Sequence, residues 1–381
     1  MLGVVGFLAT ALYWPGVSGA ATTPRWSALF LLVPWIIRGD RIKNASPYVW
    51  GGAFFLYAVA SLCWTPQLLD GIQQVFLLMI LASLFWFGSE INNPRPLYVV
   101  STIGVSLSSA VALLQFSGFH PVPDFGPDWA PSGLFVNPNF LAEAAALLVV
   151  AAAAERMWWA LPILAPALIL PQARGAILAV AVAALVKFRS VRWLIIAGIA
   201  LALSYVAAHM ITDYGSSERL AIWQSAVNGL TVVGHGIGSF WSSYPPFDLR
   251  VSPNSYPEHA HNELLHIAFE LGLPGVICAL GFCLSLCGPL NTPRLVLIAF
   301  LTEACLAFPT HLPATAAIGL ILAGYAVRDR YLLRDSVLFR RVCVRVGSAL
   351  GGRPGVDAGG SNISVRSSIS RRAPVTPDSN Q

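Results

Sequence analysis

Apolar runs that could cross a lipid bilayer recur along most of the chain, separated by short polar segments. A membrane-spanning helix needs about 20 mostly apolar residues. Runs that reach or approach this length fall at residues 2–20, 24–38, 46–64, 73–89, 97–116, 139–155, 157–171, 175–188, 192–210, 272–289, 293–309 and 312–327. The pattern therefore predicts an all-α integral membrane protein with about twelve transmembrane helices. The first run resembles a signal peptide but lacks a basic start, so we expect it to be a retained span.

Two polar segments between the apolar runs are long enough to form structures of their own. They cover about residues 117–137 and 212–270, and the second lies between predicted spans nine and ten. Cytoplasmic loops are enriched in Lys and Arg, so basic residues give the orientation. With alternating spans, three basic groups fall on one side: Arg38, Arg41 and Lys43; Lys187, Arg189 and Arg192; and the arginines after residue 327. We therefore predict that both termini are cytoplasmic and that the large loop, residues 212–270, is extracytoplasmic.

The composition supports a membrane protein and argues against a nucleic-acid-binding protein. Of the 381 residues, 56% are hydrophobic and 11% are charged, whereas about 25% of residues are charged in soluble domains. The formal net charge of +5 comes from an Arg-rich tail, which suits retention next to anionic lipid. This tail, residues 328–381, is also rich in Gly, Ser and Pro, which predicts disorder. We therefore divide the chain into a membrane domain, residues 1–327, and a basic cytoplasmic tail.

The end of the large loop places polar side chains directly before an apolar run. The stretch HAHNELLHIAFELGLPGV covers residues 259–276. Asn262 is a predicted N-cap, and Asn262, His266 and Glu270 repeat every four residues, so they share one face of a short helix. The Gly-Leu-Pro-Gly that follows predicts a turn into the next span. We find no Asp-x-Asp motif and no His/Cys group at ligand spacing, so we predict no metal ion and no cofactor.

The same stretch carries a family resemblance. His261-Asn262, followed after nine residues by Gly-Leu-Pro-Gly, resembles the signature of the O-antigen ligase and O-antigen polymerase superfamily. Three more stretches resemble this family and occur in its order: residues 133–143 (GLFVNPNFLAE), 172–179 (QARGAILA) and 218–245 (ERLAIWQSAVNGLTVVGHGIGSFWSSYP). The resemblance covers roughly residues 40–327. It implies a polytopic, metal-independent, inverting glycosyltransferase that moves a glycan from undecaprenyl diphosphate to an acceptor at the outer face of the bacterial inner membrane.

The resemblance also implies roles for three residues. Arg174, between spans seven and eight, and Arg219, in the large loop, would bind the diphosphate, because a guanidinium pairs with phosphate oxygens and keeps its charge. The structural alternatives are an arginine that reaches the membrane interface for Arg174 and, for Arg219, a weak ion pair with the adjacent Glu218 or with a nearby acid. His261 would orient or deprotonate the acceptor hydroxyl, because an imidazole at a helix N-terminus tends to stay neutral. Its structural alternative is a hydrogen bond within the loop.

Four other polar or aromatic side chains are candidate substrate-binding residues: Asn137, Asn139, Trp223 and Asn262. The asparagines flank a proline or precede a helix, so turns and caps are their structural alternatives. The structural alternative for Trp223 is packing.

Further histidines and acids lie nearby in the sequence. His259 is a weaker candidate base than His261, and His266 is a candidate supporting partner. Glu143, Glu270 and Glu303 fall at predicted membrane depth, where ionisable residues are costly and often functional. Glu143 and Glu303 would equally cap or bridge helices, and we assign neither of them a catalytic role.

The acceptor is the least defined part of the prediction. We rank lipid A–core first, a growing glycan chain second and a protein hydroxyl third, and the other partners are the lipid-linked donor and the bilayer. A secondary transporter is the main non-enzyme alternative, although the sequence lacks the two matching halves typical of that class. A membrane protein that only binds glycan is the remaining alternative, and it would not need His261.

Overall fold

The computed structural model describes residues 1–15, 20–34, 45–122, 130–188, 214–250 and 256–328. All regular secondary structure in these ranges is helical. Several sequence predictions concern residues outside them: predicted span 192–210, the tail from residue 329 onward, and the basic residues Arg38, Arg41, Lys43, Arg189 and Arg192.

The helices follow one another in chain order with short connections. They are α1 (Leu2–Ala11), α2 (Thr23–Phe30), α3 (Ala45–Ser61), α4 (Leu68–Glu90), α5 (Arg95–Phe116), α6 (Pro138–Ala154), α7 (Ala160–Ile169), α8 (Arg174–Lys187), α9 (Tyr214–Asn228), α10 (Phe240–Ser243), α11 (Glu263–Ser285), α12 (Thr292–Ala304) and α13 (Pro313–Arg328). Short 3-10 helices lie at Gly133–Phe135, Pro245–Phe247 and Pro309–His311.

The helices have the length and surface of a membrane protein. Within the described ranges, α4, α5 and α11 are long and apolar enough to cross a bilayer, and α1, α6, α7 and α13 are shorter apolar helices. Large apolar side chains point outward, such as Leu56, Leu69 and Leu284, which are 70%, 76% and 70% exposed. A helix satisfies its own backbone hydrogen bonds, so such a surface can face lipid. The chain is a helical membrane protein.

Helix α6 lies at the centre of the membrane domain, in contact with α5, α7, α8 and α12. Its sequence, PNFLAEAAALLVVAAAA, presents small side chains on nearly every face. Ala142 and Ala146 pack against Ala173 and Ala176 at the start of α8. Alanine at such positions lets neighbouring helices approach closely, which compensates for the weak hydrophobic driving force in lipid. Side chains at the first turns of α6 are thereby brought next to α8 and α12.

The turn before α6 is fixed by side chains of α5. The Gln115 side-chain oxygen accepts hydrogen bonds from the backbone N–H groups of Ser132 and Gly133, at 3.0 and 2.8 Å. The Ser108 hydroxyl accepts from the N–H of Leu134 at 2.8 Å. Gly133 has φ 56°, and a Cβ there would lie 2.4 Å from the Ser108 carbonyl oxygen, so only glycine fits this approach. The entrance to α6 is therefore firmly placed.

Helix α11 begins at the predicted cap and breaks at the predicted turn. The Asn262 side chain accepts a hydrogen bond from the N–H of Leu265 at 3.0 Å, which confirms the N-cap. Gly272 has non-helical angles, φ 58° and ψ −157°, so the helix is interrupted there. Glu270, two residues earlier, accepts from the N–H groups of Gly238 and Phe240 at 3.0 and 2.9 Å. The part of α11 before Gly272 thus binds the glycine-rich part of the large loop.

Candidate active site

The loop before α11 presents His261 in an uncommon backbone conformation. His261 has φ 52°, a left-handed angle that few residues other than glycine adopt. The next residue, Asn262, caps α11 and donates from Nδ2 to the carbonyl oxygen of Cys305 at 3.0 Å. The His261 ring packs edge-on against Phe308, with the centroids 5.1 Å apart. These contacts fix the imidazole next to the end of α12.

Helix α9 is joined to this loop through Trp223. The indole N–H of Trp223 donates to the carbonyl oxygen of Ala260 at 2.8 Å. Ala260 and Phe269 belong to the same buried apolar cluster, and Trp223 packs against it. Arg219 lies one turn before Trp223 on α9. The hydrogen bond at Trp223 therefore joins the helix that carries Arg219 to the loop that carries His261.

Both candidate arginines line a single cavity. Arg174 is the first residue of α8, and Arg219 comes from α9. With them the cavity wall contains Asn139 and Glu143 of α6 and Glu303 of α12, together with Ala173, Gly175, Ala176, Leu306 and Ala307. The space between these side chains, including the part that is open to solvent, is about 310 Å³. Four helices thus bring two guanidinium groups, two carboxyl groups and one amide to the same place.

The ion pair considered as the structural alternative for Arg219 is not formed. Glu218 instead accepts from Nη1 of Arg250 at 2.7 Å, and Arg250 is held on its other side by Asp248 at 2.8 Å. Arg219 points into the cavity, while its neighbour joins the polar network of the large loop. Glu218 is therefore not the partner of Arg219, whereas a second nearby acid, Glu143, lines the same cavity and its charge acts on the pKa of Arg219.

The charged groups at this site influence one another. Burial lowers the pKa of Arg219; Glu143 opposes this shift and Arg174 adds to it. Burial also lowers the pKa of His261, and with further contributions from Arg219 and His266 the value falls to about 4. At neutral pH the imidazole of His261 is therefore uncharged, which is the form that accepts a proton.

Three other histidines gather beside His261. His259, His266 and His311 place one ring nitrogen each within 4.8 Å of one another. The sequence shows no His/Cys group at ligand spacing, and it is the fold that brings these three together, because His311 comes from the turn before α13, far along the chain. Behind it, Nδ1 of His311 lies 3.5 Å from Glu263, which also accepts from the N–H of Thr310 at 2.9 Å. Among the described residues, these three histidines could hold a transition-metal ion.

The pKa values of the histidines in this cluster are shifted in opposite directions. Burial lowers the pKa of His259 well below the usual value, and the neighbouring histidines add to this. His311 is different: burial lowers its pKa, but the charge of Glu263 and a hydrogen bond to it outweigh this, so the net shift is upward. The His259 ring lies 4.5 Å from Phe308 and 4.4 Å from His311, measured between centroids. The cluster thus packs directly behind the loop that carries His261.

The four candidate substrate-binding residues take different positions. Asn137 is the N-cap of α6, accepting from the N–H of Asn139 at 2.9 Å, and Asn262 is the N-cap of α11. Asn139 lines the cavity. Trp223 donates a hydrogen bond to Ala260 in residues 259–262, the segment before α11 that carries His259 and His261 and is called the histidine loop below. Phe308 and His311 could not be assigned to this region from the sequence, because no motif connects residues 308–311 with the large loop.

The comparison with known families agrees with the motifs. A family model described as O-antigen ligase matches residues 141–280. The match runs from α6 to α11 and includes Arg174, Arg219 and His261. It confirms the superfamily that the sequence motifs predicted. A search of the curated proteins found no match.

Proposed function

We propose that the protein transfers a glycan from undecaprenyl diphosphate to an acceptor hydroxyl at the periplasmic face of the bacterial inner membrane. The match of residues 141–280 to the O-antigen ligase family model supports this proposal. The proposed acceptor is lipid A–core. The observation that carries the proposal is the cavity lined by Arg174 and Arg219, with the neutral imidazole of His261 close enough to be influenced by Arg219.

The proposed topology has about twelve spans, with both termini cytoplasmic and the large loop, residues 212–270, outside. The cavity supports this arrangement, because its polar residues lie at one end of the central helix. Asn139 and Glu143 are in the first turns of α6, whereas Glu155, just past its last turn, lines a separate pocket with Arg95 and Tyr325. A helix of this length separates its two ends by about 25 Å. The donor would enter from lipid at the end that carries Arg174 and Arg219.

In the proposed reaction, the two guanidinium groups bind the diphosphate of the donor. The acceptor oxygen attacks the anomeric carbon, and the bond from this carbon to the phosphate oxygen breaks. Its electron pair leaves with the diphosphate, whose growing negative charge Arg174 and Arg219 stabilise. His261 orients the acceptor hydroxyl and accepts its proton. A single displacement inverts the anomeric carbon, and the arginines supply the positive charge without a metal ion or a cofactor.

The remaining candidate residues would shape this site. Asn139 faces the cavity and is placed to bind donor oxygens. Asn137 and Asn262 begin the helices that carry Glu143 and His266, and Trp223 keeps α9 next to the histidine loop. Polymerisation of repeat units and transfer to a protein hydroxyl would use the same donor site with another acceptor. An experiment in cells, where each of these acceptors is present, is therefore needed to identify the acceptor.

The test is complementation of two bacterial strains, one without its O-antigen ligase and one without its polymerase. Wild-type protein is expected to restore glycan attached to lipid A–core in the first strain only. His261→Ala, Arg174→Ala and Arg219→Ala should each reduce this glycan by about 100-fold or more, because loss of a base or of charge stabilisation costs at least that much.

Two variants serve as matched controls. Arg95→Ala removes an arginine that, like Arg174, is the first residue of a helix, but it lies in the separate pocket with Glu155. His120→Ala removes an exposed histidine after α5. Both should complement normally. Full activity of all three site variants would refute the mechanism, and rescue of the polymerase strain alone would reassign the acceptor. Rescue of neither strain by wild-type protein would favour a protein acceptor or a transporter.

A further inference from the structure

The cavity with the two arginines also contains carboxyl oxygens that have no hydrogen-bond partner. Oε2 of Glu143 and both side-chain oxygens of Glu303 are buried and unpartnered within the described part of the chain. Glu143 is 6% exposed and Glu303 is 1% exposed. A buried polar group without a partner costs free energy, and native proteins contain few of them. Three such oxygens at one cavity indicate that a ligand group normally reaches them.

The positions of the two acids make a purely structural role difficult to support. Glu143 lies in the second turn of α6, and Glu303 lies in the last turn of α12. If they bridged or capped these helices, their oxygens would accept hydrogen bonds from the neighbouring helix or from a helix end. Instead, both residues line the wall that Arg174, Arg219 and Asn139 also line. The oxygens are thus available at the place where the diphosphate is proposed to bind.

We propose that Glu143 and Glu303 bind hydroxyl groups of the sugar that is directly attached to the donor diphosphate. This inference rests on the proposed function. The first sugar is bonded to the diphosphate, so when the arginines hold the diphosphate the hydroxyls of that sugar must lie in the same cavity. A sugar hydroxyl donates a hydrogen bond, and a carboxyl group accepts one in either protonation state. The two acids would therefore select and position the sugar whose anomeric carbon reacts.

The charge balance at the site fits this division of roles. The diphosphate is an anion and needs the cations Arg174 and Arg219, whereas a sugar is neutral and needs acceptors for its hydroxyls. Each acid faces the cavity from a helix different from those of the arginines. The diphosphate and the first sugar can then contact different walls at the same time.

Two lipid probes separate sugar binding from diphosphate binding. Purified protein in lipid nanodiscs is titrated with undecaprenyl diphosphate and with undecaprenyl diphosphate that carries one hexose. Glu143→Leu and Glu303→Leu should bind the sugar-free lipid as the wild type does. They should bind the sugar-bearing lipid about 10- to 100-fold more weakly, the effect of losing a hydrogen bond to a charged or strongly polar group. Their melting temperatures should be equal to or higher than that of the wild type, because an unpartnered buried acid has been removed.

A matched control removes an unpartnered buried oxygen elsewhere. The hydroxyl of Tyr98, on α5 and outside the cavity, is also buried without a partner, and Tyr98 is 0% exposed. Tyr98→Phe should change the affinity for neither lipid. If a leucine variant fails to fold, Glu143→Gln and Glu303→Gln keep the shape and one acceptor oxygen, and each should show a smaller loss confined to the sugar-bearing lipid.

Several results would overturn the inference. Equal loss of affinity for both lipids would make the acids part of the diphosphate site, and unchanged affinity for both would make them structural. A lower melting temperature with unchanged affinities would also indicate a structural role. Sugar binding that requires added Mg²⁺ in the wild type would make the acids cation ligands. If wild-type protein bound neither lipid, the proposed function itself would fail.

Discussion

His261 combines a left-handed backbone, with φ 52°, and a partly buried ring whose pKa is lowered by the nearby cation Arg219. Strained backbone of this kind costs about 1–3 kcal/mol and is concentrated at functional sites. Here the cap at Asn262 and the hydrogen bond from Trp223 to Ala260 hold the strained residue from both sides. In this conformation the ring packs edge-on against Phe308. The position of the imidazole is therefore set by its neighbours along the chain.

The pKa of His261 gives a prediction for the pH dependence of transfer. A base works when it is neutral, so with a pKa of about 4 the value of kcat/KM should be level from pH 6 to pH 8. It should fall as the pH decreases towards about 4, where the imidazole takes up a proton. In Arg219→Gln the pH of half-maximal kcat/KM should rise, because one cause of the low pKa has been removed.

The shift in Arg219→Gln has an upper limit. Burial is the largest cause of the low pKa, and His266 remains as a further cause, so the new midpoint should stay below the usual value of 6.5. The variant His120→Ala should keep the wild-type profile. A wild-type midpoint near 6.5, or an unchanged midpoint in Arg219→Gln, would contradict this account of the imidazole.

Sequence alone was sufficient to identify the residues that belong to motifs. Arg174, Arg219 and His261 were chosen from stretches that resemble a family, and the structure places both arginines in one cavity beside the loop that carries His261. Two features were not predictable: that Glu143 and Glu303 line the same cavity, and that His311 packs against His259. These pairs are separated by many residues in sequence, and helix packing alone brings them together.

At the level of elements, the site depends on how α9 is attached to the start of α11. The attachment consists of the hydrogen bond from Trp223 to Ala260 and an apolar cluster that includes Ile222, Phe240 and Phe269. The large loop is connected to the same helix through Glu270, which binds the backbone of Gly238 and Phe240. Both connections keep Arg219 at a fixed distance from the histidine loop.

Removing the indole hydrogen bond should therefore affect catalysis as well as stability. Trp223→Phe keeps an aromatic ring but loses the donor, which costs about 0.5–1.5 kcal/mol of stability. We expect a lower melting temperature and a lower kcat, because α9 and the histidine loop can then separate. Trp241→Phe is the matched control, since the indole of the exposed Trp241 donates to Asp70 at 3.0 Å. Equal effects of both substitutions on kcat, or no effect of Trp223→Phe, would show that the attachment does not position the site.

Caps and turns were predictable because their signals are local. Asn262 and the Gly-Leu-Pro-Gly turn were assigned from sequence, and the structure has the cap at Asn262 and the helix break at Gly272. A Cβ at Gly272 would lie 2.2 Å from the carbonyl oxygen of Val232, so this break also depends on contact with the large loop. That second reason could not be read from the sequence, because it involves a segment 40 residues earlier.

On the scale of the whole molecule, the polar residues of the proposed site lie at one end of the central helix, and the rest of that helix packs against its neighbours. Helix α6 is a nearly uncharged, alanine-rich centre, and its polar residues are confined to its N-terminal turns. Hydrophobicity predicted a helical membrane protein, since this property depends on composition and run length. The predicted span 157–171 corresponds to a shorter helix, α7, which ends at Ile169 just before Pro171, whereas α8 nearly matches its predicted span 175–188.

The central claim is that Arg174 and Arg219 bind the diphosphate of the donor and that His261 acts on the acceptor. The most direct measurement compares binding of undecaprenyl diphosphate with single-turnover glycan transfer, using purified protein in nanodiscs. Arg174→Ala and Arg219→Ala should lose both binding and transfer, whereas His261→Ala should bind the lipid like the wild type and lose transfer. Arginine variants that bind the lipid normally, or a His261→Ala variant that transfers glycan at the wild-type rate, would contradict the claim.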